Sequence, residues 1–213
     1  MSEKTRALRW DLGLSVEERR DEILRTLAAF LRERHLSALK MQDIADRLGM
    51  TKGNLYYYFK SKHDILFHCH MKAMEHSLGA LAETQAMVGS PGEKLHALLV
   101  RHIRSITDEA YGAVLLTDLE SLSKPQRRRY VVLRDKFEQG VRSLIEEGIA
   151  IGEFRDQDVN LAGFAILGAV NWISKWYKAR GPRTAQEVAV AFADFFRRGL
   201  SAPPPDHTGL LSR

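Results

Sequence analysis

The stretch from Gln42 to Lys62 constrains this chain more than any other. It opens with a short helical pattern, Gln42-Asp43-Ile44-Ala45-Asp46-Arg47-Leu48, that stops at Gly49. A second short helical segment follows, Thr51-Lys52-Gly53-Asn54-Leu55-Tyr56-Tyr57-Tyr58-Phe59-Lys60-Ser61-Lys62. Two short helices joined at a glycine turn predict a helix-turn-helix, whose second helix is of a size to enter the DNA major groove.

The second segment carries the chemistry for that task. Leu55 and Phe59 lie four apart, so they share the face that packs inward on the neighbouring helices. Lys52, Gly53, Asn54, Tyr56 and Tyr57 are left to the other side and to the helix N-terminus. Gly53 lacks a Cβ and allows close backbone approach to DNA. Thr51 is placed to cap the helix, leaving amide groups near phosphate, where the helix dipole adds to the attraction. Asn54 suits base edges and Lys52 suits guanine. Tyrosine hydroxyls suit phosphates, and their rings suit thymine methyl groups. Lys60 and Lys62 follow one turn later, toward phosphate. The competing reading is a solvated face with tyrosines covering the core, since helical aromatics are most often core residues. A net charge of +5, from 32 Lys and Arg against 27 Asp and Glu, is compatible with a polyanionic partner.

The rest of the chain predicts helices only. Residues 1–14 read as a loose basic arm with Lys4, Arg6 and Arg9. Ser15 and Glu18 have capping-box spacing, and Ile23, Leu24, Leu27, Phe30 and Leu31 recur helically behind them. Ser61 with Asp64 opens a long helix to about Met87. Ser90-Pro91-Gly92-Glu93 stops and restarts the chain into an amphipathic helix through Leu95, Leu98, Leu99, His102, Ile103 and Ile106. A further apolar helix is predicted over 111–122, broken by Lys124-Pro125. Another runs from about Gln126 to Gly148. Asp156–Asp158 opens a very apolar helix ending near Arg180-Gly181-Pro182, and Thr184 with Glu187 caps a last one to about Leu200. The tail over 202–213, with its proline triplet, is expected to be disordered. No strand alternation and no internal repeat is present. The expected fold is all-α: a helix-turn-helix unit over 15–62, then a larger helical ligand-binding and dimerisation domain over 63–201.

The run from Ile44 to Leu66 closely resembles the DNA-binding domain of TetR-type transcriptional repressors, specifically over about residues 17–66. The resemblance implies a homodimer on a palindromic double-stranded operator, released when a small molecule enters the C-terminal domain. It places phosphate and base contacts on Thr51, Lys52, Gly53, Tyr56, Tyr57, Tyr58 and Lys62, beside Asn54 from the reading above. One departure stands out: the family often starts the second helix with Ser or Thr, and this chain has Leu39-Lys40-Met41. Lys40 would then contact phosphate in place of a hydroxyl cap, with Gln42 next to it among the DNA contacts.

The C-terminal half resembles one branch of that family. The similar segments are Leu167-Gly168-Ala169-Val170-Asn171-Trp172-Ile173-Ser174-Lys175-Trp176-Tyr177 and Arg134-Asp135-Lys136-Phe137-Glu138. That branch controls fatty-acid, sterol-fragment or aromatic catabolism and responds to acyl-CoA thioesters. Such an effector needs apolar surface for its tail and cations for its phosphates. Phe137, Val141, Phe164, Leu167, Trp172 and Trp176 are candidates for the first; Arg104, Arg134, Lys175 and Arg180 are candidates for the second. Asn171, polar on an apolar helix, needs a partner if buried, and a thioester or pantetheine amide is one. The two tryptophans equally suit core or dimer packing, and Asn171 equally suits a bridge between subunits. A regulator of efflux that binds lipophilic drugs or hydrocarbons, and a helical ligand-binding protein without an operator, are the alternatives.

Small residues on the last two helices, among them Ala165, Ala169 and Ala189, beside Phe192 and Phe196, predict a four-helix interface between two copies. His63, His68, Cys69, His70 and His76 crowd one helix, but no histidine pair among them sits four apart, so no metal site or cofactor is expected. No phosphate loop, nucleophile elbow or paired catalytic carboxylates point to an enzyme. A single cysteine, no apolar signal core and no membrane-length apolar run fit a reducing cytoplasm and no membrane partner.

Overall fold

The computed structural model describes residues 14–33, 35–107 and 119–202. Within them lie eight helices: α1 Val16–Glu33, α2 Met41–Leu48, α3 Lys52–Tyr58, α4 Lys62–Ala86, α5 Pro91–Thr107, α6 Lys124–Ala150, α7 Val159–Trp176 and α8 Ala185–Leu200. The basic arm, the tail beyond 202 and most of the helix expected over 111–122 lie outside the described residues; Leu119–Ser121 form a single 3-10 turn. Among the described residues, no helix is long and apolar enough to cross a membrane.

Helix starts follow local capping chemistry. Ser15 N donates to the Glu18 carboxylate (2.7 Å), and Glu18 N donates back to Ser15 Oγ (3.2 Å). These bonds hold the Glu18 carboxyl below its ordinary pKa. The same reciprocal pairing starts α5 through Ser90 and Glu93 (2.8 and 3.2 Å) and α8 through Thr184 and Glu187 (2.7 and 3.2 Å). Ser61 and Asp158 cap α4 and α7. The expected break at Lys124-Pro125 is instead the start of α6, with Pro125 in the first turn where no N–H is required. α7 stops at Trp176, short of the expected Arg180. Tyr177 is extended, and the chain reverses through a turn closed by Gly181 N on Lys178 O (2.8 Å).

Two cores divide the molecule. The first gathers Ile23, Leu27, Ile44, Leu55 and Phe59 from α1–α3 with Ile65, Leu66, Phe67 and Cys69 from the first two turns of α4. The second surrounds α5, which is packed by α4, α6, α7 and α8, and includes Leu95, Leu98, Leu99, Val141, Ile145 and Ile173. The N-terminal core therefore runs past residue 62 into α4, and α4, about 37 Å long at 1.5 Å per residue, belongs to both.

Candidate DNA interface and effector cavity

The turn between α2 and α3 is built by Gly49, whose φ of 68° is left-handed backbone. Gly49 N donates to Asp46 O (3.1 Å) and Met50 N to Ala45 O (3.0 Å), the paired closure of a Schellman ending, and Met50 is buried beyond it. α3 then starts on Thr51, whose Oγ1 accepts from Asn54 N (3.2 Å). Leu55 and Phe59 are buried, so the opposite face is fixed outward. Thr51, Lys52, Gly53, Asn54, Tyr56 and Tyr57 lie exposed along it, with Tyr57 77% accessible. Tyr58 is half-buried and meets Tyr57 edge to face (5.0 Å). Lys40 and Gln42 are exposed as well. Lysine has no acceptor, so the cap of α2 is one-sided: Asp43 accepts from Lys40 N (2.8 Å). Gln42 donates to Asp46 (2.9 Å).

Lys62 corrects its expectation. Its ammonium donates to the carbonyls of Leu36 (2.8 Å), Leu39 (2.8 Å) and Ser37 (3.3 Å), so its three N–H groups are engaged within the protein. Leu36 O also accepts from Leu39 N (3.2 Å), so the cation reaching this turn from α4 adds a second donor there and reaches the carbonyls of Ser37 and Leu39 as well.

Sequence reasoning missed Arg20. Its guanidinium donates to Tyr58 O at the end of α3 (3.1 Å), lies over the Phe59 ring (4.5 Å) and approaches His68 Nε2 (3.4 Å). Burial, reinforced by the Arg20 charge, lowers the His68 pKa. One residue on, Cys69 Sγ donates to Leu24 O (3.4 Å), and burial raises its thiol pKa. α4 is thus tied to both α1 and the recognition helix. Nothing in the local pattern around Arg20 signals this, because its partners lie 38 and 48 residues away.

Immediately below this junction is a cavity of about 350 Å³ between α4, α5, α6 and α7. His70, Met74 and Ser77 of α4 face His102 and Ile106 of α5, Tyr130, Arg134 and Phe137 of α6, and Phe164, Leu167 and Asn171 of α7. Ser77 Oγ donates to Ala73 O (3.1 Å), so its contact with His102 Nδ1 (3.2 Å) takes the proton from the imidazole. Burial pushes His102 down to about 4, opposed by a hydrogen bond with the Asn171 side chain. His70 is also pushed down to about 4 by burial, and it packs against Tyr130 (5.0 Å between rings). Burial raises the Tyr130 pKa, against the opposing charge of Arg134. A second cavity of about 290 Å³ adjoins, reached by Trp172 and Lys175.

Of the residues expected at an effector site, Arg134, Phe137, Phe164, Leu167 and Asn171 meet at the first cavity, and Trp172 and Lys175 at the second. The others go elsewhere. Val141 is fully buried in the second core, a turn below Phe137. Arg104 and Arg180 are exposed and line neither cavity, the first on the outer side of α5 and the second in the turn after α7. Trp176 stacks on Phe192 (6.2 Å), away from both. Ala189 corrects the expected interface: it is 0% exposed because α8 turns that face onto α5. Ala165 is exposed, Ala169, Phe192 and Phe196 are half-buried, and Phe195 beside them is 71% exposed.

Comparison with known proteins decides the family. Residues 23–69 match the model of bacterial regulatory proteins of the tetR family, and residues 88–200 match a tetracyclin repressor-like C-terminal domain. The chain belongs to the TetR family. It is a TetR-type transcriptional repressor with a DNA-binding helix-turn-helix, and not an enzyme. The HTH-type transcriptional repressor KstR2 of Mycolicibacterium smegmatis is 30% identical over 192 residues, which cover 88% of this chain and 93% of that protein. The TetR regulator PfmR of Thermus thermophilus superposes with a TM-score of 0.77 at 33% identity, covering 84% of this chain and 99% of PfmR. AibR, solved in complex with isovaleryl coenzyme A and operator DNA, superposes with a TM-score of 0.73 at 26% identity, covering 87% of this chain and 100% of AibR. In this TetR-family chain, both matched regions contain the sites described above: α3 lies in the first and most of the cavity wall in the second.

Proposed function

We propose that this repressor acts as a homodimer on a palindromic operator and is released by an acyl-CoA thioester bound in the cavity between α4 and α7. The observation that carries the proposal is the position of α4. Cys69 is bonded into the DNA-reading core, and His70, the next residue, lines the cavity. An occupant that displaces the α4 wall therefore moves the segment that holds the recognition helix. Two such helices fit one face of DNA only when spaced about one turn, roughly 34–36 Å, apart. A ligand that prefers the swung position of α4 shifts the population away from that spacing, and operator weakens ligand binding by the same factor.

The effector class follows from the mostly apolar cavity with Lys175 and Arg134 at its walls, and from the thioester held by the relative AibR. The dimer surface follows from exposed Leu161, Phe164, Trp172 and Phe195 on α7 and α8, a larger apolar area than isolated surface residues account for. A second reading is a lipophilic effector without CoA. It is favoured by the pairing of Arg134 with Asp135, one carboxylate oxygen of which accepts from two Arg134 N–H groups (2.8 and 3.2 Å), so that one of the two cations is occupied.

Native mass spectrometry of the protein with a panel of acyl-CoAs and free CoA, followed by DNA-binding titrations with a duplex selected by the protein itself, tests the proposal. The expected result is a dimer retaining one thioester per subunit and losing DNA affinity on its addition. A dimer that ignores every thioester refutes the effector class, and a monomer that binds DNA without sequence preference refutes the repressor mechanism.

A further inference from the structure

The recognition helix α3 is seven residues long, about 10 Å at 1.5 Å per residue. It packs chiefly on α2, while α1 is the helix of the DNA-reading unit that packs on α4. Few contacts fix the tilt of so short a helix, so its ends matter. Thr51 and the Gly49 turn set the N-terminal end. At the C-terminal end, Tyr58 O is one of the last carbonyls, which have no donor within the helix. Arg20 Nη1 supplies a donor from α1 (3.1 Å). Arg20 Nη2 meets His68 Nε2 on α4 (3.4 Å), and because a guanidinium only donates, the imidazole accepts. Its planar face lies over the Phe59 ring (4.5 Å). Asp64, one turn before His68, accepts from Lys60 N just beyond α3 (3.0 Å) and stands 3.8 Å from His68 Nε2. The end of α3 and the first two turns of α4 thus close on one side chain of α1. The helices α1 and α4 are joined elsewhere as well, by Lys72 with Asp21 (3.4 Å) and by Cys69 with Leu24 O (3.4 Å). Removing Arg20 therefore leaves those two helices packed and frees the end of α3.

We infer that Arg20 is a positioning residue for operator recognition: it fixes the tilt of α3 against α4, and with it the half-site spacing that the repressor accepts. This rests on the dimeric reading above, in which each recognition helix is carried to its half-site on α4. One base pair more or less between the half-sites displaces one of them by about 3.4 Å and turns it by about 35°. A stiff joint between α3 and α4 excludes that change, and a loose joint follows it. Arg20 is half-buried and its guanidinium is engaged within the protein, so it acts through α3 and not as a contact to DNA.

The test takes the duplex selected by the full chain, and two derivatives with one base pair added or removed at its centre. Each is titrated with wild type, Arg20→Met and His68→Leu, and the melting temperature of each free protein checks that it is folded. Wild type is expected to prefer the parent duplex at least about tenfold. Arg20→Met should bind the parent more weakly and bring all three duplexes within about threefold of one another. His68→Leu removes the α4 anchor, leaves Arg20 on Tyr58 O, and should relax the preference in the same direction. If Arg20→Met does not fold, His68→Leu decides. A purely structural Arg20 would lower the melting temperature, or weaken all three duplexes alike, with the tenfold preference intact; that result overturns the proposal while leaving the dimeric repressor in place. Wild type that binds as a dimer but without regard to spacing overturns it as well, and wild type that binds as a monomer overturns the dimeric reading with it.

Discussion

Replacing Lys62 separates two roles that one lysine could have had. A phosphate contact contributes to DNA affinity and to its salt dependence; an internal cap contributes to folding. The Lys62 ammonium donates at 2.8 Å to Leu36 and Leu39 and at 3.3 Å to Ser37. Hydrogen bonds from charged donors contribute about 1.5–3 kcal/mol each when buried. The side chain is half-buried, so about 1 kcal/mol for each of the two short bonds, and little for the third, is the appropriate scale. Lys62→Met keeps the aliphatic stem and removes the ammonium, and is expected to destabilise the protein by about 2 kcal/mol. For a chain of this size that is a drop of roughly 4–8 °C in melting temperature. Calorimetry measures it. In parallel, DNA affinity is measured across salt concentrations. A lost phosphate contact would reduce the magnitude of the log–log salt slope by about one, and here the slope is expected to stay unchanged. An unaltered melting temperature together with a slope reduced by about one would refute the assignment and return Lys62 to the phosphate.

Other perturbations have comparably direct outcomes. Thr51→Ala removes the acceptor of Asn54 N and should cost about 1 kcal/mol, seen as a lower melting temperature and weaker operator binding; Thr51→Ser should restore both. Gly148→Ala would drive a Cβ into the Phe154 ring, which is 2% exposed, so thermal unfolding should report a loss of about 2 kcal/mol; unchanged stability would mean the ring is free to move. His70 and His102 both fall from 6.5 to about 4 on folding. The unfolded chain then binds more protons between those values, and stability, intact above about pH 6.5, is lost as pH falls toward 4. At pH 5 the loss is about 2 kcal/mol per histidine, and His102→Gln should flatten the profile; an equally steep profile in that variant would remove His102 as a cause.

Reading this chain without coordinates works where the physics is local. Capping pairs at Ser15–Glu18, Ser90–Glu93 and Thr184–Glu187 span three residues, and the structure forms each of them. The outward face of α3 is equally local, because Leu55 and Phe59 claim the inward one. Reading fails where a residue's partner is far along the chain. Lys62 is identical in sequence pattern to a phosphate contact, and only the proximity of carbonyls 23 to 26 residues earlier redirects it. Arg104 and Arg180 look like anion donors in composition, but helix rotation and a turn place them outside both cavities.

The amino-acid sequence by itself therefore determined the helices, their caps, the glycine turn and the exposed DNA-reading face, since each follows from residues within about one helical turn. It also carried the family. Tertiary structure alone decided which apolar face of α8 is buried, how α4 joins the two cores, and which residues of α4, α5, α6 and α7 meet at the cavity. Those properties arise from the packing of four helices against one another. Their relative rotations are set by the sum of many contacts, and no local pattern in any one helix encodes them.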